Sequence, residues 1–175
     1  MISIPISRFW PALTLAVLLG SSTALAEQID NPAYTNWAKF KPGSVLKTNT
    51  ESSTAGQKLS VEMTSKLLEV TPDKVVVEVT TEATAGQIKA PARVKKQEAP
   101  AKLTRPANAS PIKESAESIV VAGKTYACHV AEEMRDGIQI KTWTSDKVPG
   151  GLVKMELRGD GTLMTTLLVE SSIQK

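Results

Sequence analysis

From Val45 to Glu170 the apolar side chains recur at alternate positions, in short runs broken by turn residues, a period of two that predicts strands rather than helices. Val45 to Asn49 and Gln57 to Val70 flank an Ala55-Gly56 turn, with Leu59, Val61 and Met63 on one face. Val75, Val77 and Val79 follow Thr71-Pro72-Asp73-Lys74, where Pro takes the second turn position. These three strands form a meander. The C-terminal half repeats the habit in Ser118–Val121, Lys124–Glu132, Ile138–Ser145, Leu152–Arg158 and Thr162–Glu170, with turns at Arg135-Asp136-Gly137 and Gly159-Asp160-Gly161. Tyr126, Cys128 and Val130 share a face, as do Ile138 and Ile140, then Val153, Met155 and Leu157, then Leu163, Leu167 and Val169. A sheet of about eight such strands with one apolar face curls around that face. The fold class is therefore mainly β, a curved antiparallel sheet forming a half-barrel or open barrel.

Two segments depart from this period. Asn31-Pro32 reads as an N-cap with Pro in the first turn, and Tyr34, Trp37, Ala38 and Phe40 follow at helical spacing until Pro42-Gly43. The short helix holds three of the five aromatic residues beyond residue 26, and its work is to cap one end of the sheet. At the N-terminus Arg8, the apolar run Phe9 to Leu19 and the small residues Ala24-Leu25-Ala26 form a signal peptide over residues 1–26. The run is shorter than the roughly 20 apolar residues a membrane span requires, and no second one follows. The expectation is an exported protein, periplasmic or extracellular, whose mature chain is one domain over residues 27–175 without a transmembrane segment. Glu27 stands where bacterial lipid attachment would need cysteine, so no lipid anchor is expected.

Thr54-Ala55-Gly56-Gln57 recurs as Thr84-Ala85-Gly86-Gln87, and with no match around either copy it reads as two hairpin tips rather than a repeat array. Lys89 to Glu117 carries Pro91, Pro100, Pro106 and Pro111 and no strand period, so a long loop or tether is expected there. Its charge is +4, from Lys89, Arg93, Lys95, Lys96, Lys102, Arg105 and Lys113 against Glu98, Glu114 and Glu117. Such a segment is either a solvated insertion or an arm for an anionic partner. The whole chain has a net charge of +3, or +2 once Arg8 leaves with the leader, which gives no reason to expect a nucleic-acid partner.

Cys128 and His129 are the single cysteine and histidine, so no intramolecular disulfide is possible. Neighbours on a strand point to opposite faces, which places Cys128 in the core and His129 in water, not in a thiol–imidazole pair. One His and one Cys make no metal cage, and neither a metal nor a cofactor is expected. There is no Gly-x-Ser-x-Gly elbow, and the carboxylate pair Asp146 and Glu156 is a weak hydrolase signal with few aromatics left to stack a sugar. No catalytic residue is assigned and no enzyme is expected. Arg158-Gly159-Asp160 and Asn108-Ala109-Ser110 match short adhesion and glycosylation motifs that occur cheaply. Trp143 falls opposite Ile138 and Ile140 on a regular strand, so either a bulge turns it inward or it is exposed, and the Pro149-Gly150-Gly151 turn can bring backbone close to a ring or ligand.

The stretches Trp37 to Ser44, Val121 to Cys128 and Lys141 to Lys154 together resemble a group of small exported bacterial proteins of unassigned activity. Their motifs read Trp-x-Lys-x-Lys-Pro-Gly-Ser, Val-Ala-Gly-Lys-x-Tyr-x-Cys and Lys-x-Trp-x-Ser-x-x-Val-Pro-Gly-Gly-x-Val-Lys. The resemblance implies an antiparallel β protein similar to the lipoprotein-localisation half-barrels and carries no catalytic residue. The leading expectation is a binding module for an apolar or lipid-like ligand or a hydrophobic partner segment in the envelope. Leu59, Val61, Met63, Val153, Met155 and Leu163 would line the site, with Trp37 and Trp143 at its rim. The alternatives are a scaffold protein acting through edge strands and the basic tether, and a carboxylate-dependent hydrolase.

Overall fold

Alternating valines dominate Lys74–Ala85, where Val75, Val77 and Val79 are buried and the residues between them are partly exposed. Such β-branched side chains fit a pleated, half-buried surface. The computed structural model describes residues 27–54, 57–105, 112–159 and 162–174; the predicted signal peptide over 1–26, the predicted turn at Ala55-Gly56, Asn108-Ala109-Ser110 and Asp160-Gly161 lie outside them. In chain order the elements are β1 (Glu27–Asp30), α1 (Pro32–Ala38), β2 (Val45–Thr54), β3 (Gln57–Val70), β4 (Lys74–Ala85), β5 (Ile88–Lys89), β6 (Arg93–Pro100) and β7 (Lys102–Arg105). There follow β8 (Lys113–Val121), β9 (Lys124–Arg135), β10 (Ile138–Thr144), β11 (Leu152–Gly159) and β12 (Thr162–Ser172).

Ten strands form one antiparallel sheet in the order β5-β4-β3-β2-β12-β11-β10-β9-β8, with β6 also paired to β4, while β1 and β7 pair apart. The sheet does not close into a barrel, since β8 ends one side and β5 with β6 the other. The β2–β3–β4 meander and the second hairpin tip at Gly86 are present as the alternation predicts.

Helix α1 has the predicted start: the Asn31 side chain accepts from Ala33 N at 3.0 Å, and its Nδ2 donates to Pro100 O at 2.6 Å. The cap therefore ties the helix to the end of β6. Tyr34 Oη donates to Thr71 O at 2.9 Å, and Trp37 is buried with Leu46, Leu67, Val75 and Val153. The rings close one end of the sheet.

Residues 89–117 correct the expectation of a patternless tether, because β6, β7 and the first half of β8 lie within them. Strand β6 pairs with β4 through Lys74↔Pro100 to Thr81↔Arg93, and apart from Ala99 all its side chains are exposed. With neither face buried it needs no apolar alternation, and proline sits before and at the end of the strand, where the ladder tolerates it. Arg93, Lys95 and Lys96 thus decorate an edge strand, and Lys102 and Arg105 lie on β7.

The register also corrects the picture of a single apolar face. Residues directly opposite in the ladder share a face. One face carries the row Lys113, Glu132, Lys141, Glu156, Thr165, Glu51, Ser60, Thr84 and Lys89, crossing the sheet from edge to edge. The other carries Ile140, Leu157, Met164, Ser52, Leu59, Ala85 and Ile88. Yet Tyr126, Cys128, Val130 and Trp143 are buried on the polar side, because β8 returns to pack on β12 and brings Val121 beside Leu167 and Leu168. Leu163, paired with Ser53 and Arg158, is likewise on the polar side, opposite Leu59, Val61, Met63 and Met155.

Candidate functional site

Two features mark the polar face. The first surrounds Trp143, which is 4% exposed. Its strand is regular up to this residue, and the bulge that follows lies in β11 at Val153, so Trp143 is buried on the face opposite Ile138 and Ile140 and is not turned inward by a bulge. Its indole N–H donates to Glu117 Oε2 at 2.9 Å, and the ammonium groups of Lys141 and Lys154 stand 4.9 and 4.6 Å from the ring centroid. Each cation–π contact contributes about 0.5–1 kcal/mol at a partly exposed site. Lys141 also bridges to Glu132 at 3.0 Å, and Glu156 receives Lys154 at 2.7 Å and Arg158 at 2.9 Å. The Lys154 hydrogen bond, then the Arg158 one, hold the Glu156 carboxyl below the usual glutamate range. Hydrogen bonding between Lys141 and Glu132 lowers the acid and raises the base. A pocket of about 230 Å³ opens beside these groups, but its charges already satisfy one another.

The second feature is a groove. One part, of about 590 Å³, is lined by Glu51, Ser52, Ser53, Lys58, Leu59, Ser60, Thr84, Gly86, Leu163 and Thr165. Another, of about 340 Å³, is lined by Asn49, Glu51, Val121, Ala122, Thr165, Leu167, Leu168 and Val169. Glu51 and Thr165 belong to both, so the two parts meet along β2 and β12. The β8–β9 turn walls the second part, with Ala122 and Gly123 both at positive φ (49° and 74°), the geometry of a tight hairpin. Leu163, Leu167 and Val169 are between 39% and 48% exposed, which makes this an apolar surface in an otherwise polar setting.

The predicted lining residues divide accordingly. Leu163 reaches the groove, and Leu59 borders it from a strand position that faces the other side of the sheet; Trp37 and Val153 are in the core, and Trp143 lies in the charged pocket. Val61, Met63 and Met155 are half-buried on the opposite face. Alternation placed Leu167 and Val169 on the face of Leu163 but gave no sign of their meeting with Val121, which depends on β8 folding back. The Pro149-Gly150-Gly151 turn does approach a ring, that of Trp37: a Cβ on Gly150 would lie 2.7 Å from Trp37 Cε2.

No family model matches this chain, and no curated protein matches it. Among solved structures, a DUF1329 family protein from Desulfovibrio piger is similar over 82% of this chain and 90% of its own, at 7% identity and a TM-score of 0.33. That likeness carries no functional argument.

The remaining reactive groups are accounted for locally. Cys128 is buried, and burial followed by the charge of Glu117 pushes its thiol pKa up. His129 is on the opposite face, 3.5 Å from Glu114. Asp146 pairs with Lys39, the C-cap of α1, while Glu156 is held by Lys154 and Arg158, so each carboxylate has its own cation. Among the described residues no cluster of three or more metal-ligating side chains occurs, and no helix is long and apolar enough to cross a membrane.

Proposed function

We propose that the chain is an exported, non-catalytic binding protein of the cell envelope whose strand-lined groove holds an apolar or lipid-like ligand. The observation that carries this reading is the groove itself: two cavities joined at Glu51 and Thr165, with Leu163, Leu167 and Val169 left uncovered along one strand. From Leu163 to Val169 the strand extends about 20 Å, enough for an extended aliphatic chain together with its head group to lie along it. Aliphatic side chains with a few convergent polar groups are the usual lining of such sites. A non-catalytic role is supported by the local neutralisation of Glu132, Glu156 and Asp146 and by the inert setting of Cys128. Export rests on the leader-like residues 1–26.

The test is native mass spectrometry of protein purified gently from its host's envelope fraction. A reproducible extra mass, lost on denaturation and absent from Leu163→Glu and Leu167→Glu variants, is the expected result. A bare mass in every preparation overturns the reading.

A second reading is favoured by the exposed basic side chains Arg93, Lys95 and Lys96 on the edge strand β6. There the protein joins an acidic partner, and a Lys95→Glu/Lys96→Glu variant loses a stoichiometric companion that copurifies with the native chain. Lysines also guard edge strands against aggregation, so aggregation of that variant with no lost companion rejects this reading.

A further inference from the structure

Several carboxylates of the polar face are paired. Glu62 meets Lys47, Glu82 meets Lys89, Glu132 meets Lys141, and Glu156 meets Lys154 and Arg158. Glu51, like Glu78, Glu117 and Glu170 of the same face, joins no ion pair among the described residues, but of these four it alone lines the groove. It lies where the two parts of the groove meet, and among the described residues neither it nor Lys58, the other charged lining residue, joins an ion pair.

Their order along the groove is set by the ladder. Glu51 pairs with Ser60, and Ser53, two residues further out, pairs with Lys58. The two charges are diagonal neighbours on one face, with Cβ atoms about 7 Å apart. Inward of Glu51 the lining turns aliphatic, at Leu167, Leu168, Val169 and Val121 beneath the β8–β9 turn. A ligand lodged with its tail innermost therefore lies against apolar walls, then beside a negative charge, then beside a positive one.

We infer that the groove selects a single-chain amphiphile whose cationic group adjoins the chain and whose anionic group lies outermost. This inference rests on the groove-binding reading above and adds the polarity of the head to it. Opposite charges placed in register favour one order of head charges, and like charges penalise the reverse.

Two detergents with the same aliphatic chain supply the test, because their head charges run in opposite order. Dodecyl sulfobetaine has its ammonium next to the chain and its sulfonate outside; dodecylphosphocholine has phosphate inside and ammonium outside. Each is titrated calorimetrically into the purified protein below its micelle concentration. The expected result is tighter binding of the sulfobetaine by about fivefold, the scale of two exposed charge pairs. A Glu51→Lys/Lys58→Glu variant is expected to reverse the preference, and Leu167→Glu to weaken both ligands alike. Equal affinities in the native protein, or no reversal in the charge-swapped variant, overturn the charge order while leaving the groove reading intact when Leu167→Glu still weakens binding. Binding that ignores Leu167→Glu, or no binding of either detergent, overturns both.

Discussion

At the residue scale, burial depends on what a side chain meets across the sheet. Cys128 and His129 are adjacent, yet one is 4% exposed and the other has an imidazole 56% exposed, because strand neighbours point to opposite faces. That much was legible from alternation alone. The buried thiol is expected to resist a maleimide at neutral pH and to react once urea unfolds the chain, which mass spectrometry of labelled protein checks. Trp143 was only half legible. Its face could be read, but its burial comes from Glu117 on β8 and from Lys154 on β11, 26 and 11 residues away in the chain. The available signal was the spacing of Lys141 with Trp143 and of Lys154, Glu156 and Arg158, which sets charges on the same side as the ring. Trp143→Ala is expected to destabilise the protein by about 3–5 kcal/mol, measured by urea unfolding, since a large buried ring leaves a cavity.

At the element scale, the local signals for helix and turns were strong. Asn31-Pro32 begins α1 because the Asn side chain accepts the backbone N–H of Ala33, a contact two residues away. What the helix docks on was not local. Its Trp37 ring lies against Gly150, whose backbone N donates to Asn36 O at 3.3 Å, so a loop more than a hundred residues on completes the helix site. Gly150 has φ +71° and no room for a Cβ, whereas Gly86 at φ +59° faces open space. Gly86→Ala is therefore expected to cost about 1 kcal/mol from backbone strain alone, and Gly150→Ala clearly more, compared by thermal melts of the two variants. Strand β6 is the converse case. It was illegible because an edge strand exposed on both faces carries no burial period, and its prolines resemble loop punctuation.

For the whole molecule, the charged row across the polar face predicts how stability responds to acid. Glu156, Glu132 and Glu82 have pKa values lowered chiefly by hydrogen bonds from Lys154, Lys141 and Lys89. Their folded values lie below the unfolded ones, so the stability they contribute is complete above about pH 4.3 and is lost as pH falls through the folded values. Urea midpoints are expected to drop between neutral pH and about pH 3, and Glu156→Gln to flatten that fall. By itself the sequence determined the fold class, the helix start, the meander and the facing of Cys128, because period, capping and turn chemistry act within a few residues. Tertiary structure alone decided the pairing of β6, the burial of Trp143 and the groove along β12. Each of these depends on β8 returning over β12 or on strands meeting across long loops, and no local pattern encodes which of two faces such a return will cover.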